Sequence, residues 1–193
     1  MNVGVLLLAA GWSRRFGSDK RLALLPDGRP LLFAAVSAIQ RSGLDLRVCL
    51  RPGDDAIKER LLAAEVAVLE CQRAAEGMGA TLADAVAQLG GWQGLLVALA
   101  DMPGIRPGTF RAVAEALTAD SIVTPTFQGE PGHPVGFGRV FFPALARLDG
   151  DRGARDLVSR AGSRRLCLSL ADPGILRDVD YPADFRALGS PQP

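Results

Sequence analysis

The sequence predicts an α/β protein with a mainly parallel sheet and helices on both of its faces, and three observations lead to this prediction. Six short runs are apolar throughout rather than alternating, which is typical of central strands in a parallel sheet. Helix-like stretches separate these runs, so strand and helix alternate along the chain. With 193 residues, 48% of them apolar, the chain is also long enough to bury one sizeable core.

The elements follow one another in a regular order. Strands are expected at Val3–Leu8 and at residues 46–50, 66–69, 95–100, 121–125 and 165–168. Helices are expected at residues 31–42, 54–64, 80–89, 107–119 and 153–161. Asp54 or Asp55 can cap the second helix, and Pro107 suits a first helical turn. We expect one domain over residues 1–188 and a disordered tail over residues 189–193.

Charge and cysteine content argue against several classes of protein. The formal net charge of +1 provides no field for nucleic acid or an anionic membrane, so neither is an expected partner. Three widely spaced cysteines do not suit a disulfide framework or a zinc site, and the apolar runs around Cys49 and Cys167 predict buried free thiols. The absence of a basic leader and of a long apolar segment predicts a cytoplasmic protein.

The first predicted strand leads directly into a turn rich in glycine and cations. Gly11 lets a ligand approach the backbone, and exposed N–H groups can donate hydrogen bonds to an anion. The local positive charge that can neutralise the anion lies at Arg14, Arg15, Lys20 and Arg21. The distance from Gly11 to Gly17 does not fit a dinucleotide fingerprint, and no Gly-Lys-Ser/Thr of a Walker loop follows. The expected ligand is a nucleoside triphosphate or a similar anion.

Aspartates at two later positions are candidate metal ligands. Asp101 follows a wholly apolar strand, at the sheet edge where parallel strands end. A carboxylate there can hold Mg²⁺, or it can serve as a turn residue before Met-Pro-Gly; the basic loop at a neighbouring strand end favours the metal. Asp180 is either a second metal ligand or the cap of a terminal helix.

Three loop segments have both a functional and a structural interpretation. In residues 76–82, two glycines and Thr81 can border a base or ribose, or simply begin a capped helix. Residues 129–137 predict a rigid, exposed loop in which His133 faces a ligand or braces a turn. Residues 148–155 offer an arginine fork for a second phosphate, or local ion pairs.

Taken in order, these motifs resemble one branch of a known enzyme superfamily. The run from Leu8 to Lys20 resembles the nucleotidyltransferase signature L-A-A-G-x-S-x-R-[MF]-G-x-x-K. The later motifs are similar to those of the molybdenum cofactor cytidylyltransferases: Gly-Met-Gly-Ala-Thr-Leu at 77–82, Ala-Asp-Met-Pro at 100–103, Gly-His-Pro-Val at 132–135, Gly-Asp-Arg-Gly-Ala-Arg at 150–155 and Asp-Val-Asp-Tyr-Pro at 178–182.

The resemblance implies a fold and a reaction. The fold is a three-layer, Rossmann-like nucleotidyltransferase fold of the nucleotide-diphospho-sugar transferase type. The substrates are CTP (GTP in the sister branch) and molybdopterin, with Mg²⁺ as the cofactor. The molybdopterin phosphate attacks the α-phosphorus and pyrophosphate leaves. The product serves recipient molybdoenzymes of the xanthine dehydrogenase type.

The resemblance also implies a role for each matched residue. Arg15, Lys20 and Asp101 carry catalysis, and Asp101 and Asp180 bind the metal. The remaining residues bind the nucleotide, with Leu8, Ala9, Ala10, Gly11, Gly79 and Thr81 lining it, or bind the acceptor, with His133, Asp151 and Arg155 facing it.

One residue departs from the family pattern, one motif bears on the choice of base, and two alternative functions stay open. Trp12 is bulky where a smaller residue is expected, and it can shape a lid over the triphosphate. Ala9-Ala10-Gly11 favours cytidine over the Leu-Ala-Gly-Gly of the guanylyltransferases. A cytidylyltransferase for a sugar phosphate or sugar alcohol would keep the first loop and Asp101. A protein that only carries the molybdenum cofactor is the non-enzymatic alternative.

Overall fold

The computed structural model of the protein describes residues 1–12, 16, 19–181 and 184. In these residues eight strands form one sheet: β1 (Val3–Leu8), β2 (Asp45–Leu50), β3 (Ala67–Glu70), β4 (Gly94–Leu99), β5 (Ile122–Phe127), β6 (Glu130–Pro131), β7 (Val135–Gly138) and β8 (Arg165–Ser169). The α-helices are α1 (Leu31–Gln40), α2 (Asp55–Ala63), α3 (Met78–Ala87), α4 (Pro107–Ala116), α5 (Phe142–Leu145) and α6 (Arg155–Ser159).

The sheet is mixed but mostly parallel. Its strand order is β3-β2-β1-β4-β7-β5-β6, and β8 pairs with β5. β1 lies parallel to β2 and β4, whereas β7 runs antiparallel between β4 and β5. The α/β fold class is confirmed, and the carboxyl ends of β1, β2 and β4 lie side by side at one edge.

Two apolar cores, one on each face of the sheet, produce three layers. Val5 and Leu7 belong to the core that α1, α2 and α4 cover. Leu6 and Leu8 alternate with them and pack with α3 and α5 on the opposite face. Because every residue of β1 is buried on one face or the other, the strand is apolar throughout, as the sequence indicated.

A close contact between backbone and ring fixes the amino end of the sheet. A Cβ on Gly4 would lie 2.2 Å from the ring of Trp92, so only glycine fits at this position of β1. The Trp92 indole Nε1 donates a hydrogen bond of 2.8 Å to Asp45 at the start of β2. The tryptophan therefore connects three neighbouring strands at the edge opposite to their carboxyl ends.

Residues 129–137 form only in part the exposed loop that the sequence predicted: residues 129–131 are exposed, but the segment is not a loop throughout. It contains β6 and most of β7, and Phe137 of β7 is only 1% exposed. A Cβ on Gly138 would lie 2.1 Å from the carbonyl oxygen of Thr118, so the glycine permits close packing here. Glycine and proline suggested a loop, but they allow a strand to enter the middle of the sheet.

Three further expectations differ from the structure. The last strand, expected to be buried, exposes Leu166 and Cys167 because among the described residues β8 pairs with β5 alone. Cys167 is therefore not a buried thiol, whereas Cys49 and Cys71 are buried. The helix expected at 153–161 is shorter, and the tail at 189–193 lies outside the described residues.

No helix in the described part of the chain is long and apolar enough to cross a membrane.

Candidate functional site

A cleft of about 470 Å³ opens at the carboxyl ends of β1 and β4. The loop after β1 forms one wall, and the start of α3 forms another. The residues that line the cleft are Leu8, Ala9, Ala10, Gly11, Trp12, Phe16, Lys20, Arg21, Ala74, Ala75, Glu76, Gly77, Met78, Thr81, Leu99, Ala100, Asp101, Asp151 and Asp180. Most of the residues that the sequence assigned to the nucleotide therefore share one cavity.

Lys20 lies between two carboxylates at the floor of this cleft. Its Nζ donates to Asp101 Oδ2 at 2.8 Å, to Asp180 Oδ1 at 3.2 Å and to the Val179 carbonyl at 3.1 Å. Burial by itself lowers the pKa of Lys20, but the charges of Asp101 and Asp180 outweigh burial, and the pKa is raised. We call Lys20, Asp101 and Asp180 the lysine cluster; its members are far apart in sequence and meet here.

One oxygen of the lysine cluster has no protein partner among the described residues. Asp101 Oδ1 is buried and accepts no hydrogen bond there, whereas Oδ2 binds Lys20. An unsatisfied buried acceptor costs about 1–3 kcal/mol, so this oxygen is arranged for a ligand rather than for stability. A cation or a donor on a substrate can satisfy it.

The donor set fits a hard divalent cation that also binds phosphate. Asp101 and Asp180 offer carboxylate oxygens facing an open cleft. Within residues 1–12, 16, 19–181 and 184, no group of three or more His, Cys, Asp or Glu side chains could hold a metal. Mg²⁺ needs no such group, because it commonly binds one or two carboxylates and completes its shell with water and phosphate oxygens.

The loop after β1 continues the strand pairing for one residue on each side. The carbonyl oxygen of Leu8 accepts from the Ala100 N–H at 3.1 Å. The N–H of Ala9 donates to the Cys49 carbonyl at 3.0 Å. The sheet therefore fixes the position at which the loop leaves β1.

A buried arginine fixes the next peptide of the loop. Arg21 is 3% exposed, and its Nη1 donates to the Ala9 carbonyl at 2.9 Å. Both Nη atoms also donate to Asp54, and Nε and Nη2 donate to Asp19. All five N–H donors of the guanidinium are thus used. Arg21 was counted among the cations available to an anion, but in the structure it holds the loop.

The pKa values in this group agree with fully formed ion pairs. The hydrogen bond from Arg21 is the main reason that the pKa of Asp19 is lowered. Burial alone would lower the pKa of Arg21, but the bonds to Asp54 and Asp19 outweigh it and the pKa is raised. Asp54 precedes α2 but makes no capping hydrogen bond, so its predicted cap role is wrong.

A second arginine holds the same loop farther along. Arg51 Nη1 donates to the Gly11 carbonyl at 2.6 Å, and its Nε lies 3.3 Å from Asp54 Oδ1. Its guanidinium carbon lies 4.3 Å from the centre of the Trp12 ring, which is 55% exposed. We call Arg21, Asp19, Asp54 and Arg51 the arginine cluster. No sequence motif indicated a role for Arg51 or long-range partners for Asp54.

The glycines at the start of α3 let another loop approach closely. Gly77 has a φ of 122°, and a Cβ there would lie 2.3 Å from Asp151 Oδ1. The Gly79 N–H donates to the Gly150 carbonyl at 2.7 Å, so it is not free for a base or ribose. Thr81 is buried at the cleft wall. The nucleoside contact expected of Gly79 stays a prediction.

The three residues expected to face the acceptor are not equally placed. Asp151 lines the cleft and is exposed. His133 is half-buried, with Nδ1 3.4 Å from the Val97 carbonyl, and burial lowers its pKa. Arg155 is exposed at the first residue of α6 and does not appear among the cleft-lining residues described above. Arg14 and Arg15 lie outside the described residues.

Comparisons with known proteins match both the sequence and the fold. The family model of the MobA-like NTP transferase domain matches residues 5–165. The purine catabolism protein PucB of Bacillus subtilis is 31% identical over 195 residues, which cover 95% of this chain and 93% of PucB.

Solved structures agree over nearly the whole chain. The crystal structure of Rv0371c from Mycobacterium tuberculosis has a TM-score of 0.82 and 30% identity, and it covers 97% of each chain. A manganese complex of Rv0371c has a TM-score of 0.77 and 28% identity, covering 97% of this chain and 98% of the other. A nucleotidyl transferase from Methanothermobacter, at 22% identity and a TM-score of 0.83, shares the fold over 96% and 95% of the two chains.

Proposed function

This chain belongs to the MobA-like NTP transferase family and is a nucleotidyltransferase; from that premise we propose that it transfers CMP from CTP to the phosphate of molybdopterin. An oxygen of the acceptor phosphate forms a bond to the α-phosphorus of CTP. The bond from the α-phosphorus to the bridging oxygen breaks, and pyrophosphate leaves with its electron pair. The products are a molybdopterin dinucleotide and pyrophosphate.

This reaction requires positioning and charge neutralisation more than it requires a protein nucleophile. The acceptor phosphate is already an anion near neutral pH, so no protein base is needed. Lys20 is charged and lies in the cleft, where it can offset the charge that develops on the leaving pyrophosphate. We propose that Arg15 binds the same triphosphate, because of its position in the signature motif.

The observation that carries the proposal is the buried, unpartnered Oδ1 of Asp101 beside Lys20. Nucleotidyltransferases of this family depend on a divalent metal, and a relative has been solved with manganese. We propose Mg²⁺ held by Asp101 and Asp180. When bound, the ion would neutralise charge on the phosphate oxygens.

The choice of CTP and of the acceptor rests on narrower observations. Ala9-Ala10-Gly11 in the first loop is the cytidine-type sequence, and these residues line the cleft. PucB is named for purine catabolism, and an enzyme of the xanthine dehydrogenase type acts on a purine, so such a recipient agrees with that name. His133, Asp151 and Arg155 are proposed for the acceptor side. The cytoplasmic location also stays a prediction.

The test is pyrophosphate release from CTP, GTP, ATP and UTP in turn, each with Mg²⁺ and molybdopterin. We expect release with CTP, and thermal stabilisation by CTP above that by the other three. Release with GTP alone would assign the chain to the guanylyl branch. Turnover with a sugar phosphate in place of molybdopterin would refute molybdopterin as the acceptor. Nucleotide binding without any turnover would favour the alternative of a protein that only carries the molybdenum cofactor.

A further inference from the structure

The arginine cluster binds two carbonyl groups of the loop after β1. Arg21 donates to the carbonyl of Ala9, and Arg51 donates to the carbonyl of Gly11. In a planar trans peptide, the C=O of one residue and the N–H of the next point in opposite directions. Holding these two carbonyls therefore turns the N–H groups of Ala10 and Trp12 away from the arginines.

Asp54 connects the two arginines. It accepts from both Nη atoms of Arg21, and Arg51 Nε lies 3.3 Å away. Its side chain is 8% exposed, and it makes no capping bond to α2. The carboxylate is thus committed to orienting two guanidinium groups, each of which binds a loop carbonyl.

We propose that Asp54 is a positioning residue for the nucleotide: through Arg21 and Arg51 it presets the peptide planes of the first loop, so that Ala10 and Trp12 present N–H donors to the nucleoside triphosphate. The inference rests on the proposed function, because it takes the cleft as the nucleotide site. It adds a role for Asp54, Arg21 and Arg51 that acts through the loop carbonyls. All three lie outside the motif from Leu8 to Lys20 that identified the loop.

The stack of Arg51 on Trp12 extends the same arrangement. With one face of its ring against the guanidinium, Trp12 is held at the mouth of the cleft although its side chain is mostly exposed. A stack of this kind contributes about 0.5–1 kcal/mol at an exposed site. It therefore helps to keep the Trp12 peptide in one orientation before the nucleotide arrives.

The variant Asp54→Asn distinguishes a positioning role of Asp54 from an effect of its charge alone on the affinity for CTP. Removing one negative charge leaves the arginines less neutralised, so electrostatics alone would strengthen the binding of CTP. Positioning predicts the opposite sign: the dissociation constant for CTP with Mg²⁺, measured by calorimetry, should rise about tenfold, roughly the effect of one lost hydrogen bond. An unchanged or smaller dissociation constant would overturn the proposal.

Asp172→Asn is the matched control. Asp172 is also a buried carboxylate near a helix start, accepting from the Arg106 N–H and the Thr109 hydroxyl, but it does not line the cleft. We expect it to lower the melting temperature without changing the affinity for CTP. Equal losses of affinity in Asp54→Asn and Asp172→Asn would reduce the effect to general destabilisation and refute the proposal.

Arg51→Lys covers the case in which Asp54→Asn does not fold. It keeps the charge but loses the planar fork and its stack on Trp12. We expect weaker CTP binding with a nearly unchanged melting temperature, because Arg51 is partly exposed. Wild-type affinity in this variant would contradict the proposal. Wild-type turnover of CTP, measured separately, decides the proposed function itself, so the two can fail independently.

Discussion

The lysine cluster and the arginine cluster lie beside the same cleft but differ in how completely their polar atoms are satisfied. Arg21 and Asp54 are 3% and 8% exposed, and every donor of Arg21 is used. In the lysine cluster the side chain of Asp101 is 23% exposed, and its buried Oδ1 has no partner among the described residues. A satisfied cluster stabilises the fold, whereas an incomplete one is ready for a ligand.

This difference predicts that substitutions in the lysine cluster change rate or affinity with little loss of stability, whereas removing Arg21 from the arginine cluster also destabilises the fold. Asp101→Asn should lower the rate of pyrophosphate release about a thousandfold or more, because the metal and its charge neutralisation would be lost. The melting temperature should change little, since Oδ1 makes no bond within the described structure, the amide oxygen of asparagine can still accept from Lys20, and Lys20 keeps its pair with Asp180. A variant that keeps the wild-type rate would remove the metal assignment.

Arg21→Met should have the largest effect on stability. It leaves Asp19 and the buried Asp54 without their main partner, and breaking such a pair costs about 3–5 kcal/mol. Urea unfolding measures the loss. Arg29→Met is the control, because the Arg29–Asp27 pair is about half exposed and should contribute nothing measurable. If both variants unfold at the wild-type urea concentration, the arginine cluster does not support the fold.

Lys20→Met should weaken CTP binding more than it weakens folding. Its ammonium lies in the cleft beside Asp101, and we expect about a thirtyfold rise in the dissociation constant. Lys58→Met, at an exposed pair with Glu70, should leave the constant unchanged. Equal affinity for CTP in the Lys20 variant and the wild type would refute the role assigned to this residue.

The smallest expected effect concerns His133, which belongs to neither cluster. Burial lowers its pKa below the ordinary value of 6.5, so between that value and the folded-state pKa the unfolded chain binds more protons. The free energy of unfolding should therefore fall as the pH drops below about 6.5. His133→Gln should make the free energy of unfolding, measured with urea at pH 7, 6 and 5, less dependent on pH. An unchanged pH dependence in this variant would show that burial of His133 does not contribute to it.

The sequence predicted the meeting of Lys20 and Asp101 because each follows an apolar strand. Parallel strands place their carboxyl ends at one edge, so residues 81 positions apart could be expected to approach each other. The same rule applied to Asp54 after β2, but a helix cap explained that aspartate locally and hid its long-range partners. Nothing local indicated that Arg21 would be buried rather than available to an anion.

The strands were predictable to a different extent. β1, β2 and β4 are rich in apolar residues and were found within one or two residues of their ends. β7 was missed because Gly136 and Gly138 have no apolar side chain. These glycines instead allow neighbouring residues to pack closely against the strand. β8 was found but expected to be buried, since an apolar run does not tell an edge strand from a central one.

The positions of the two tryptophans make the intrinsic fluorescence of the protein informative about two separate regions. Trp12 stands exposed at the mouth of the cleft, whereas Trp92 is buried at the opposite edge of the sheet and donates to Asp45. The fluorescence of Trp12 depends on what binds in the cleft. The fluorescence of Trp92 depends on whether the sheet is folded. When the fluorescence of the Trp12→Phe variant is used as the reference, ligand binding in the cleft can be distinguished from unfolding of the sheet without an added label.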